Sequence, residues 1–276
     1  MRYLRLAAIC IFVLSLGFSA WSNIHYYSDS NTDIPSIESN TELLEISVTE
    51  GREALLQGLT AHDETDGDLT DRIMVASVSH FMEKGLVNVK YVVFDKHHNA
   101  GSITRQVRYT DYESPKFSLS TPAVFTRGAD FNLLDRVKVE DCIDGDISRQ
   151  IRVVTNMVNS FAAGVYPVTL EVTNSCGDLA QLTLWVTVLD KENSASITLN
   201  QYIVYVEQGT RFDPYSYIRS VTDANNLSLP KENVQVKGTL DMNTPGSYRL
   251  EYTYSDSETV GQTAITVVVE GKEGVA

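Results

Sequence analysis

DETDGDLTDRIMV occupies residues 63–75, and DCIDGDISRQIRV occupies residues 141–153. Both obey Asp-x-x-Asp-Gly-Asp-(Leu/Ile)-(Thr/Ser)-x-x-Ile-x-Val, and 78 residues separate them. A second phrase follows each copy. Gly85 opens an alternating run to Asp95, and Gly164 opens one to Asn174, 79 residues further on. The second phrase returns at Gly246-Ser247-Tyr248 after another 82 residues, this time without Asp-Gly-Asp before it. Self-similarity at a fixed period decides architecture before anything else. It predicts three tandem domains of one kind, over residues 43–111, 115–190 and 196–270.

The second phrase reads as a strand in every copy. Val87, Val89, Tyr91 and Val93 share one face of the first. Tyr166, Val168, Leu170 and Val172 do so in the second, against Pro167, Thr169, Glu171 and Thr173. Tyr248, Leu250, Tyr252 and Tyr254 repeat the pattern in the third. Period-two alternation of β-branched and aromatic residues marks half-buried strands. A turn follows each (Lys96–Gly101, Ser175–Asp178, Ser257–Gly261), then a further alternating strand, which in the second domain buries Leu182, Leu184, Val186 and Val188. No window of twelve or more residues beyond residue 22 keeps a helical period. Short strands punctuated by turns predict an all-β chain of antiparallel sandwiches. The linkers Tyr112–Pro115 and Lys191–Ala195 are brief, as in a row of beads with limited bending.

The N-terminus has a different character. Arg2 and Arg5 precede a run of apolar or small residues from Leu6 to Phe18, and Ala20-Trp21-Ser22 offers a small-x-small cleavage site before Asn23. Residues 1–22 therefore read as a signal peptide, with an uncleaved membrane anchor over residues 6–21 as the alternative. The run is shorter than the ~20 apolar residues that span a bilayer comfortably. Cys10 lacks the context of a lipoprotein signal. Residues 23–42, rich in Ser, Asn, Asp and Thr, read as a flexible spacer. Over 276 residues the formal charge is −14, and loss of Arg2 and Arg5 would make it −16. That balance argues against nucleic acid as a partner, because such binding rests on Lys and Arg neutralising phosphates.

Taken together, the Asp-Gly-Asp phrase and the following Gly-x-Tyr-x-Val strand with its Asp-x-x-Gly-Asn-like turn resemble the bacterial immunoglobulin-like repeat. This is the form found in pesticidal crystal toxins and Gram-positive surface proteins, close to the hyalin repeat. The resemblance spans residues 43–270. It implies three seven-stranded immunoglobulin-like sandwiches acting as a spacer or binding module at a cell surface. The sequence departs from the pattern at Val87 in place of Tyr, at Asp95-Lys-His-His-Asn99, at Asn174-Ser-Cys176-Gly177-Asp178, and at Thr222-Asp223-Ala224-Asn225-Asn226.

In that topology the loop after the second strand and the loop before the last share one end of each sandwich. Asp63, Asp66, Asp68 and Asp95 would gather there in the first domain, and Asp141, Asp144, Asp146 and Asp178 in the second. So many hard oxygens suit calcium. The alternative is that these side chains cap turns through nearby backbone amides, with Gly67 and Gly145 supplying positive φ. His62, His97 and His98 would lie beside Asp63, either as a zinc set or as solvated loop residues. Tyr166 and Tyr248 resemble the tyrosine corner, in which the hydroxyl bonds to backbone. Cys142 and Cys176 fall in the two loops of one tip, which predicts a disulfide if the chain is exported.

No nucleophile elbow, HExxH or phosphate loop occurs, and no carboxylate pair is placed across a sugar cleft. The chain reads as an exported, surface-associated protein without enzymatic activity, serving as a structural spacer or an adhesion module toward an extracellular protein or glycan. Two alternatives stand beside it: a calcium-dependent carbohydrate- or protein-binding module, and an accessory subunit of a surface enzyme.

Overall fold

The computed structural model describes residues 11–22, 33–257 and 259–271. Residues 1–10 of the predicted signal segment and 23–32 of the predicted spacer lie outside them. Residues 11–22 are helical and exposed. Among the described residues no helix is long and apolar enough to cross a membrane. The chain divides into two compact units, residues 1–111 and 112–276.

The first unit contains one sandwich of seven strands: β1 (Ser36–Ser39), β2 (Leu43–Ile46), β3 (Leu59–Asp63), β4 (Gly67–Asp68), β5 (Met74–Val78), β6 (Leu86–Phe94) and β7 (Ala100–Tyr109). One sheet has the order β1-β3-β4, and the other β2-β7-β6-β5. The chain crosses between the sheets at residues 40–42, so β1 pairs antiparallel with β3 while β2 runs parallel to β7. The first strand thus lies within the stretch predicted as spacer. Ser36–Ser39 form an edge strand that buries Ile37 alone, too short and too polar for its alternation to register in the sequence. The predicted inward set Val87, Val89, Tyr91 and Val93 is fully buried. Arg105 is buried among it, donating to the Leu55 and Gln57 carbonyls at 2.7 and 2.8 Å and tying the segment before β3 to the sheet.

The second unit contains two sandwiches. The first repeats the seven-strand plan with β8 (Lys116–Leu119), β9 (Val124–Thr126), β10 (Val137–Asp141), β11 (Gly145–Asp146), β12 (Arg152–Asn156), β13 (Gly164–Thr173) and β14 (Leu179–Leu189). Its sheets are β11-β10-β8 and β12-β13-β14-β9. The second has β15 (Ala195–Leu199), β16 (Ile203–Glu207), β17 (Ile218–Asp223), β18 (Val234–Lys237), β19 (Gly246–Ser255) and β20 (Val260–Glu270), in sheets β15-β17 and β16-β20-β19-β18. Where the other sandwiches place a Gly-Asp strand, this one keeps only an isolated bridge, Thr222 to Ser228.

These two sandwiches do not behave as loose beads. Ile203 of β16 belongs to the apolar core of residues 117–186, Tyr205 packs against that core, and Leu119 touches the cores of both sandwiches. The Phe117 amide donates to the Tyr205 hydroxyl at 2.8 Å. Arg249 donates to the Thr187 hydroxyl at 3.1 Å while paired with Glu251 at 2.8 Å. The linker is fixed to β20 as well: Asn193 exchanges hydrogen bonds with the Gln262 backbone, and the Ser194 amide donates to the Val260 carbonyl.

Candidate functional site

Each fixed position of Asp-x-x-Asp-Gly-Asp-(Leu/Ile)-(Thr/Ser) has a structural task, and the task is the same in both copies. Asp63 ends β3 and accepts the amides of Thr65 and Asp66 through Oδ1 at 3.0 and 2.8 Å. Asp141 ends β10 and accepts those of Ile143 and Asp144 at 2.9 and 2.8 Å. Gly67 and Gly145 then turn the chain at φ 76° and 71°, where a Cβ would be strained. Asp68 and Asp146 accept the amides of Thr70 and Ser148, both at 2.9 Å, starting a short 3₁₀ turn. Leu69 and Ile147 plug the core, and their amides return to the Ala61 and Val139 carbonyls. The Thr70 and Ser148 hydroxyls accept the amides of Ala61 and Val139. The motif is a hairpin lock.

The remaining acidic residue of each motif joins the two loops. Asp66 accepts the Lys96 amide at 2.7 Å and pairs with its ammonium at 3.0 Å. Asp144 accepts the Ser175 amide at 2.6 Å and its hydroxyl at 2.7 Å. In the closing turn, Asp95 accepts the amides of His97 and Asn99, and Asn174 does the same for Cys176 and Asp178. The two tips then diverge. Asn174 can also donate, and its Nδ2 reaches Asp141 Oδ2 at 3.1 Å and the Tyr112 hydroxyl at 2.8 Å. Tyr112 in turn donates to Asp178 at 2.7 Å. Asp95 has no such donor, and Asp63 Oδ2 is buried without a hydrogen-bond partner.

The donors set the charge state of these groups. The Lys96 amide, then its ammonium, lower the pKa of Asp66. The Thr70 hydroxyl and amide do so for Asp68, and those of Ser148 for Asp146. Burial works against ionisation of Asp95, but the Asn99 and His97 donors outweigh it and its pKa also falls. Burial, and then the bond to Asp178, raise the pKa of Tyr112 well above the usual phenol value.

The loops containing the eight predicted carboxylates do meet at the tips, yet seven of the side chains accept backbone amides of those loops and Asp178 accepts the Tyr112 hydroxyl. Among the described residues no three or more His, Cys, Asp or Glu side chains form a group able to hold a metal ion. His62, His97 and His98 are exposed. The predicted disulfide between Cys142 and Cys176 is not formed in this structure. The exposed Cys142 thiol donates to the Glu113 carbonyl at 3.2 Å, whereas Cys176 is turned inward and buried. Tyr166 and Tyr248 reach the carbonyls of Ala162 and Thr244, four residues upstream, at 2.9 and 2.7 Å, the geometry of a tyrosine corner. The junction residues Tyr205, Arg249 and Asn193 carried no sequence signal, because their partners lie 62 to 88 residues away.

With this geometry established, residues 197–269 match the family described as bacterial surface protein, Ig-like domain. That match falls on the third sandwich. A curated relative, the pesticidal crystal protein Cry22Aa of Bacillus thuringiensis, is 27% identical over 259 residues, covering 89% of this chain. The chain spans about a third of that relative's length, 35%. Among solved structures, Drosophila N-cadherin EC1-3 aligns over 84% of this chain and 98% of its own, at 12% identity and a TM-score of 0.30. The M60 catalytic domain with the CBM51-1 and CBM51-2 domains of Clostridium perfringens ZmpB aligns over 88% of this chain and 31% of its own, at 13% identity and a TM-score of 0.25. Likeness at that level says nothing of function. The third sandwich follows the plan of the other two in six strands, without the Gly-Asp strand.

Proposed function

We propose that this protein is exported and held at or near the cell surface, where its three Ig-like domains act as a non-enzymatic spacer and adhesion module. One observation carries the reading: the carboxylates of the repeated motif are taken up by turn amides, so the most acidic feature of the chain is scaffold rather than chemistry. The surface-type Ig-like domain at residues 197–269 and the charged-then-apolar N-terminus agree with it. The partner is an extracellular protein or glycan, and the overall charge of −14 disfavours an anionic one by simple repulsion. The test is export. Fusion of residues 1–22 to a phosphatase active only outside the cytoplasm should give activity, and N-terminal sequencing should find Asn23 first or, for an anchored form, Met1. An inactive fusion held in the cytoplasm would refute the reading.

A further inference from the structure

The second unit contains a cleft of about 300 Å³ where its two sandwiches meet. We infer that this cleft is a binding site for a neutral sugar unit, which rests on the adhesion reading and names the ligand class.

Three observations lead there. First, the cleft is preformed. The Phe117–Tyr205 and Arg249–Thr187 hydrogen bonds fix one sandwich to the other, and Asn193 and Ser194 fix the linker to β20. A site whose walls are already ordered loses less on binding than one that must close. Second, its walls differ in character. Pro122, Val124 and Leu189 of the first of these sandwiches, all half-buried, give an apolar side, while Glu192 and Ser196 and the amide-bearing Gln262 give a hydrogen-bonding side. A pyranose has the matching shape, an apolar face of C–H groups and an edge of hydroxyls that both donate and accept. Third, no Lys, Arg or His lines the cleft, whereas the carboxyl-bearing Glu192 and Asp223 do. That arrangement excludes phosphorylated, sulfated and sialylated ligands by repulsion and desolvation. The size is at the low end of small-ligand sites, which favour domain junctions, and suits one sugar ring rather than an oligosaccharide.

The experiment uses the full chain labelled with ¹⁵N. Glucose, galactose, mannose and N-acetylglucosamine are titrated as methyl β-glycosides, with sialic acid as the anionic control. At least one neutral glycoside should shift the backbone amides of residues 192–197 and the side-chain amide of Gln262, and sialic acid should not. Gln262→Ala should weaken that binding roughly five- to tenfold through loss of one hydrogen-bonding group. Ala224→Trp, at an exposed position of the rim, should block it while leaving the amide spectrum that of a folded protein. Shifts by no neutral glycoside, shifts confined to other regions, or equal binding of sialic acid would each overturn the inference. Failure here leaves the export result untouched, and a cytoplasmic location would leave a measured sugar affinity intact, so the two readings fail separately.

Discussion

Replacing Tyr205 by Phe should destabilise a sandwich to which Tyr205 does not belong. The ring remains, with its packing against the core of residues 117–186, and only the hydroxyl is lost. That hydroxyl accepts the Phe117 amide at 2.8 Å, and Phe117 is 3% exposed. Leaving a buried amide without a partner costs about 1–3 kcal/mol. With a urea slope of about 1–3 kcal/mol/M, the transition should move down by roughly 1 M. The reporter is Trp185 on β14, which becomes the sole tryptophan once Trp21→Phe is introduced into the full chain. A second signature comes from pH. Burial raises the pKa of the Tyr205 hydroxyl to about 12 from an ordinary 10. Stability from the neutral phenol is therefore complete below pH 10 and lost as pH climbs toward 12. The gap between wild type and Tyr205→Phe should narrow over that window. A Trp185 transition at the same urea concentration in both proteins would show that the two sandwiches are energetically independent.

Four other outcomes follow from the tips. Asp66, Asp68, Asp95 and Asp146 all have lowered pKa values, so their contribution is present above their ordinary pKa of 3.8 and lost as pH falls below it. Thermal melts should hold steady from pH 7 to 5 and drop below pH 4, and a flat profile to pH 2 would contradict this. Asp141→Ala removes the acceptor of two turn amides and of the Asn174 side chain, and should cost about 1–3 kcal/mol in the urea transition reported by Trp185; an unchanged midpoint would contradict the hairpin lock. In native protein, iodoacetamide should modify exposed Cys142 quickly and buried Cys176, whose thiol burial pushes up, only after unfolding; two unreactive sulfurs would restore the disulfide. Calcium and chelator should give superimposable melts, because each of these carboxylates already has a protein donor, whereas a rise confined to the first two sandwiches would restore the calcium reading.

What could be read from the chain divides along a physical line. Interactions local in sequence announce themselves: the inward residues of β6, β13 and β19 follow period two, and Asp63 and Asp141 act on amides two and three residues ahead. The pairing of the two loops at each tip was legible through the repeat, since Asp66 and Asp144 occupy equivalent places and reach equivalent partners, Lys96 and Ser175. The first strand was hidden, because Ser36–Ser39 bury one side chain and gain their order from β3, more than twenty residues on. The junction in the second unit was hidden for a stronger reason. Tyr205 lies on a strand whose pattern is satisfied by its own sandwich, and nothing in that pattern reports that Phe117 is across from it. The disulfide failed on side-chain direction: loop placement brings Cys142 and Cys176 to one tip, but Cys142 faces the Glu113 carbonyl and Cys176 the interior.

The proposed function places these domains outside the cytoplasm, at the surface of the cell that makes them. The direct measurement is labelling of intact producing cells with an antibody against residues 43–270, paired with protease shaving and fractionation. Surface labelling, loss of the antigen on shaving, and recovery of the chain in the envelope or medium are expected. Antigen that is protected in intact cells and recovered with cytosolic markers would contradict it.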